Sequence, residues 1–139
     1  FIDICEENDT VVMGRNTYLA IQSYPDSLRD IFEQLPIKKV VVSRDKNFAP
    51  KVGYFISSSP SESVTNNGDK ILLCSGGHLN SSFLNEKITD RIIVYVLPVI
   101  VGGGTSLFAD MPINQTDVIL ESSDVSKSFA KLVYRIQKN

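Results

Sequence analysis

The sequence is poor in the residues that hold metals or staple a chain. Cys5, Cys74 and His78 are the only cysteines and histidine among 139 residues. They cannot form a self-contained four-ligand cysteine/histidine zinc site. Two cysteines so far apart do not make a disulfide framework, and they point to a reducing, cytoplasmic setting. Each reads as a small buried hydrophobe, and no neighbour suggests how a thiol would be activated. No apolar run approaches the roughly 20 residues that span a bilayer. The formal net charge is -2, so the strong basic field of a nucleic-acid binder is missing. Repeats are absent, and the polar stretches at 57–61 and 65–69 are too short for domain linkers. The chain opens on Phe1, without an initiator methionine or a signal-peptide pattern, inside what reads as a helix.

What is present suits one globular domain, with 42% hydrophobic and 22% charged residues. Residues 1–7 read as the end of a helix. Strands are expected at Thr10–Met13, Lys38–Ser43, Val52–Ser57 and Lys70–Cys74, where apolar and β-branched residues cluster. Helices are expected at Thr17–Ile21, at Ser27–Leu35, briefly after Pro60, and at Leu79–Asn85. In the second of these, Leu28, Ile31, Phe32 and Leu35 recur at helical spacing before Pro36. Arg91–Leu97 is nearly all apolar and predicts a central strand covered on both faces. Asp117–Glu121 and Phe129–Ile136 predict an antiparallel hairpin, with Ala130, Leu132, Tyr134 and Ile136 alternating with more polar neighbours. The fold class is therefore α/β, with a C-terminal antiparallel hairpin.

Three strand ends carry residues suited to phosphate. Gly14, Arg15, Asn16 and Thr17 follow the first strand, where free backbone N–H groups, a guanidinium and a hydroxyl would meet an anion. A plain strand-to-helix turn with a surface arginine is the alternative. Ser43 and Arg44 follow the second strand and suit a ribose phosphate, or simply a solvated loop. Ser75, Gly76, Gly77, His78 and Leu79 follow Cys74, where glycines permit close approach of a pyrophosphate to a helix start. This turn has neither the Walker A ending nor the full G-x-G-x-x-G pattern. If the strands are parallel, their carboxyl ends collect all three turns. A fourth cluster, Gly102–Gly104 before Thr105, reads either as a flexible turn or as the wall of a substrate pocket. Tyr18, Tyr24 and Tyr95 read as packing aromatics, and no metal site is expected.

Together these elements resemble the dihydrofolate reductase fold. Val11-Val12-Met13-Gly14-Arg15-Asn16-Thr17-Tyr18 resembles its strand and cofactor turn, and Val41-Val42-Ser43-Arg44 its next strand end. The stretch from Asp90 to Phe108, with its Asp-Arg opening, Pro98-Val99, glycines and Leu107-Phe108, is closer to the C-terminal reductase domain of the bacterial riboflavin-biosynthesis enzyme RibD and its stand-alone relatives. The resemblance implies a three-layer fold around a central, mostly parallel sheet. It implies an NADPH cofactor with Gly14–Thr17 on its phosphates and Ser43 and Arg44 on the 2′-phosphate. Ser75–Leu79 would cradle the pyrophosphate, with Cys74 near the nicotinamide. Substrate would lie across the sheet, towards Gly102–Thr105. The implied reaction is reduction of a ribosylaminopyrimidine phosphate, with a dihydrofolate or pteridine reductase, or a non-catalytic nucleotide-binding protein, as alternatives. No particular proton donor is indicated. Val118, Ile119, Leu120 and Tyr134 could form a homodimer interface. Against this family, residues 1–139 are expected to form one reductase-like domain lacking its N-terminal strand and part of its first helix. Ser75 departs from a glycine and Asn80 from an aromatic. Asp3, Glu6 and Glu7 match no substrate-binding carboxylate and read as solvated helix-end charge.

Overall fold

Alternating residues of one strand send their side chains to opposite faces, and β1 (Thr10–Gly14) shows this directly. Val11 and Met13 enter one apolar cluster with Cys5, Tyr18, Ile21, Phe32, Val41 and Tyr54, while Val12 enters another with Val40, Val42 and Phe83. A strand covered on both faces needs a layer on each side. The computed structural model, which describes residues 2–109 and 115–137, supplies both. On the first face lie α1 (Ile2–Glu6), α2 (Arg15–Gln22) and α3 (Asp26–Glu33), contributing Cys5, Tyr18, Ile21 and Phe32. On the second lie α4 (Pro60–Val64) and α5 (Gly77–Asn85), contributing Val64, Leu79 and Phe83.

Between them runs a four-stranded sheet in the order β3-β2-β1-β4, with β2 at Lys38–Val42, β3 at Phe55–Ser57 and β4 at Ile71–Cys74. All three pairings are parallel. Among the described residues no helix is long and apolar enough to cross a membrane.

Lys39 is buried on β2 although it is charged. Its ammonium donates to the carbonyls of Leu35 and Ile37, at 3.0 and 3.1 Å, just past the end of α3. A cation there meets the negative end of the helix dipole. Burial nevertheless pulls its pKa below the usual lysine range.

The second sheet is antiparallel, in the order β5-β7-β6, with β5 at Arg91–Val96, β6 at Val118–Val125 and β7 at Ala130–Ile136. The C-terminal hairpin is thus present, with an irregularity between Leu120 and Ser122. Arg91 stands directly opposite Arg135, a like-charge pair that would repel. Glu121 lies at the irregularity, 2.9 Å from the Arg91 Nε and 3.8 Å from the Arg135 Nε. Its carboxylate offsets the repulsion.

One expectation is corrected. Arg91–Leu97 is not a central strand covered on both faces. Among the described residues β5 has one strand neighbour, β7, and Ile93, Tyr95 and Val96 are each more than a third exposed. An apolar run reports low polarity and does not say which elements stand beside it. Among the described residues β4 likewise pairs only with β1. Of the four residues expected at helical spacing, Leu35 lies past the end of α3, Phe32 is buried, and Leu28 and Ile31 are exposed. Both α2 and α5 begin two residues earlier than expected, at Arg15 and Gly77.

Candidate functional site: three parallel strand ends

The register brings the three turns together. Gly14 is level with Val42 across β1 and β2, and Met13 is level with Cys74 across β1 and β4. Arg15, Ser43 and Ser75 therefore leave three adjacent strands at the same edge of the sheet, about 4.8 Å apart per strand. The first and third turns also touch. A Cβ added to Gly14 would lie 3.6 Å from the Leu79 Cδ2.

Two helices start at this edge. Gly14 precedes α2 and Gly76 precedes α5, and neither helix has a side-chain cap on its first N–H groups. Such ends carry partial positive charge and unsatisfied donors. The two glycines of the third turn have different surroundings. A Cβ on Gly76 would meet nothing within 4 Å, so this position opens to the site. A Cβ on Gly77 would stand 2.7 Å from both the Ala109 Cβ and the Ser106 carbonyl. The chain's own segment 106–109 occupies that space, and Ala109 N–H donates to the Gly77 carbonyl at 3.2 Å. Gly77 therefore accommodates a neighbouring segment, and Gly76 alone leaves room for a ligand.

Side chains around these turns divide into engaged and open ones. Arg15 donates to the Asp45 carboxylate at 3.0 Å and lies 5.0 Å from the Phe48 ring centre. The Ser43 hydroxyl accepts from the Asp45 N–H at 3.2 Å. Arg44 is exposed, and no ion pair or side-chain hydrogen bond engages it among the described residues. Asn16 is exposed, and Thr17 is half-buried on α2. The Ser75 hydroxyl donates to the Asn80 Oδ1 at 2.6 Å, while the Asn80 amide donates to the Leu107 carbonyl at 2.9 Å. His78 lies exposed in the first turn of α5. Cys74 ends β4, where burial, with a smaller contribution from Cys5, pushes its thiol up to about 12. It is therefore a neutral packing group at ordinary pH. Asp3, Glu6 and Glu7 are exposed on or just beyond α1.

Tyr18 fixes the loop that leads from Ser43 to β3. Its ring meets Phe48 and Tyr54 edge-on, and its hydroxyl accepts from the Lys51 N–H at 2.9 Å. Tyr95 stacks edge-on against Phe129, and Tyr24 is half-exposed. In the fourth glycine cluster only Gly102 needs its freedom, at φ +76°, and all three glycines face open space. A hollow of about 600 Å³ lies elsewhere, between α5 and the antiparallel sheet, lined by Leu84, Ile92, Leu107 and Tyr134 among others. None of the residues of the three turns lines it.

Sequence reading missed Asp45 and the bridging role of Asn80. Asp45 directly follows Ser43-Arg44, and a carboxylate beside two candidate phosphate ligands was the available signal. Nothing in the sequence reveals that Asn80 reaches Leu107, 27 residues away.

Comparison with known proteins bears on the fold and the family. The Bacillus subtilis protein YyaP is 26% identical over 145 residues, covering 96% of this chain and 77% of its own. A Shewanella protein provisionally assigned to riboflavin biosynthesis superposes with a TM-score of 0.76 at 21% identity, over 99% of this chain and 79% of that one. The Thermotoga maritima diaminohydroxyphosphoribosylaminopyrimidine deaminase/5-amino-6-(5-phosphoribosylamino)uracil reductase superposes with a TM-score of 0.68 at 15% identity, over 98% of this chain and 47% of that one. These likenesses establish the dihydrofolate reductase-like fold. The sequence model of the RibD C-terminal domain matches residues 61–132, from α4 through the third turn and into β7. With that match spanning more than half of its length, the chain belongs to the RibD C-terminal domain family.

Proposed function

We propose that the protein is an NADPH-dependent oxidoreductase that reduces the ribose carbon of a ribosylaminopyrimidine phosphate to a ribityl chain. The observation that carries this reading is the meeting of two helix starts without side-chain caps with Ser43 and Arg44 at adjacent parallel strand ends. Parallel α/β sheets bind ligands at such an edge. The residues fit a dinucleotide phosphate. Gly76 leaves open space beside the α5 N-terminus for a pyrophosphate. Gly14, Arg15, Asn16 and Thr17 would line the phosphates from the neighbouring turn. Ser43 and the unengaged Arg44 would take the 2′-phosphate. Ser75, Gly77, His78 and Leu79 shape the third turn, and the neutral Cys74 thiol would flank the nicotinamide as packing.

A bound reduced dinucleotide supplies a hydride to the electrophilic carbon. The chain's part is to orient the reactants, and the balancing proton would come from water or from the substrate. The pyrimidine substrate is supported by the reductase activity named for the Thermotoga relative, and the Gly102–Thr105 loop would wall the pocket that takes it. A homodimer through β6 is part of the same proposal, since Val118, Ile119 and Leu120 are each 40% exposed or more.

The test is NADPH binding by the purified protein, followed by a substrate panel read by loss of nicotinamide absorbance. Oxidation of NADPH with the ribosylaminopyrimidine phosphate is expected. Turnover of dihydrofolate alone would replace the substrate assignment, and absence of NADPH binding would reject the oxidoreductase reading.

A further inference from the structure

We propose that Asp45 is a specificity-determining residue that restrains the site's preference for a 2′-phosphorylated dinucleotide, acting through its own carboxylate charge and through Arg15. This rests on the dinucleotide reading above and adds a residue to it. Asp45 engages Ser43, one of the two side chains assigned to the 2′-phosphate, and Arg15 of the adjacent turn, one strand away. Its Oδ2 accepts from the Arg15 guanidinium at 3.0 Å, and its N–H donates to the Ser43 hydroxyl at 3.2 Å. Its second carboxylate oxygen accepts from the Asn47 N–H at 2.9 Å, and its carbonyl accepts from the Phe48 N–H at 3.1 Å. The loop is thus folded around this residue, and the carboxylate is held in place. The Phe48 ring under Arg15 holds the other partner.

The chemistry follows from charge. A 2′-phosphate reaching Arg15 meets a guanidinium already paired with a carboxylate, and meets the carboxylate itself as a like charge. A ribose 2′-hydroxyl has the opposite experience, because a carboxylate is the acceptor it needs. Asp45 therefore lowers affinity for the phosphorylated cofactor and spares the unphosphorylated one. Arg44, which Asp45 does not engage, retains some attraction for phosphate. The site is expected to take NADPH and NADH with affinities within about tenfold of each other.

Asp45 is exposed, and Asp45→Asn keeps an acceptor for the Asn47 N–H, so the variant should fold. Dissociation constants for NADPH, NADH, 2′,5′-ADP and 5′-AMP would be measured by titration for the wild type, D45N, R15Q and the double variant. A thermal melt of each would check folding. In D45N, NADPH and 2′,5′-ADP are expected to bind about three- to tenfold more tightly, with NADH and 5′-AMP unchanged or weaker. In the R15Q background this gain should shrink, since the effect passes partly through Arg15. The gain in D45N should also fall as salt is raised. An unchanged NADPH-to-NADH ratio in D45N, or an equal shift of both, overturns the role of Asp45 and leaves the dinucleotide reading standing. A folded wild type that binds none of the four probes overturns both.

Discussion

A methyl group at Gly77 would press on the Ser106 carbonyl and on Ala109, and the first of these is backbone that cannot swing aside. A methyl group at Gly76 would enter open space from extended backbone, at φ -83° and ψ -177°. Two adjacent glycines thus predict opposite phenotypes. Gly77→Ala should destabilise the protein by about 1–3 kcal/mol in denaturant unfolding, because overpacking forces the 106–109 segment to shift. Gly76→Ala should melt within a degree or two of the wild type, yet weaken dinucleotide binding where the pyrophosphate needs close approach. Equal losses of stability in both would contradict this division.

Among the elements, the contact that most shapes the site lies behind it. Glu33, at the end of α3, receives hydrogen bonds from Lys51 at 2.7 Å, Tyr54 at 2.8 Å and Gln22 at 3.1 Å. It joins α2, α3 and the approach to β3, and so anchors the far end of the loop that carries Ser43, Arg44 and Asp45. Burial alone would push its carboxyl up. The hydrogen bonds and the Lys51 charge outweigh burial and leave the pKa below its ordinary 4.5. A carboxylate depressed on folding contributes stability above its unfolded pKa, and that contribution is lost as pH falls through the folded value. Glu33→Gln is therefore expected to cost about 1–2 kcal/mol at pH 7. The gap between variant and wild type should close progressively below pH 4.5, in urea titrations across pH. A gap that stays constant into acid would place the effect in packing instead of charge.

At the scale of the molecule, two sheets of different character share one chain. The parallel sheet is clad on both faces by helices, whereas the antiparallel sheet leaves β6 exposed along its whole length. Val118, Ile119, Leu120 and Val125 lie there, the last at 83% exposure. Apolar residues grouped this way are commonly covered by a partner, and a second copy is the occupant already proposed. Sedimentation at micromolar concentration should show a dimer. Leu120→Asp should shift it to monomer while NADPH binding, at the opposite sheet's strand ends, is retained. A monomeric wild type would remove the dimer from the proposal.

The sequence by itself determined which segments become strands and helices. Val11-Val12 and Val40-Val41-Val42 cannot avoid burial, and Pro36 and the glycines interrupt the pattern where the elements stop. It also determined that three phosphate-suited turns each follow a strand, because that needs only local order. Which residues meet was decided by tertiary structure. Parallel pairing of β1 with β2 and β4 set the three turns side by side. The return of 106–109 separated the roles of Gly76 and Gly77. The folding of one loop placed Asp45 on Arg15, 30 positions away. Local propensity reaches only a few residues along the chain, whereas register and long-range packing select partners from all of it. The element sequence was therefore legible in advance, and the electrostatics of the site were not.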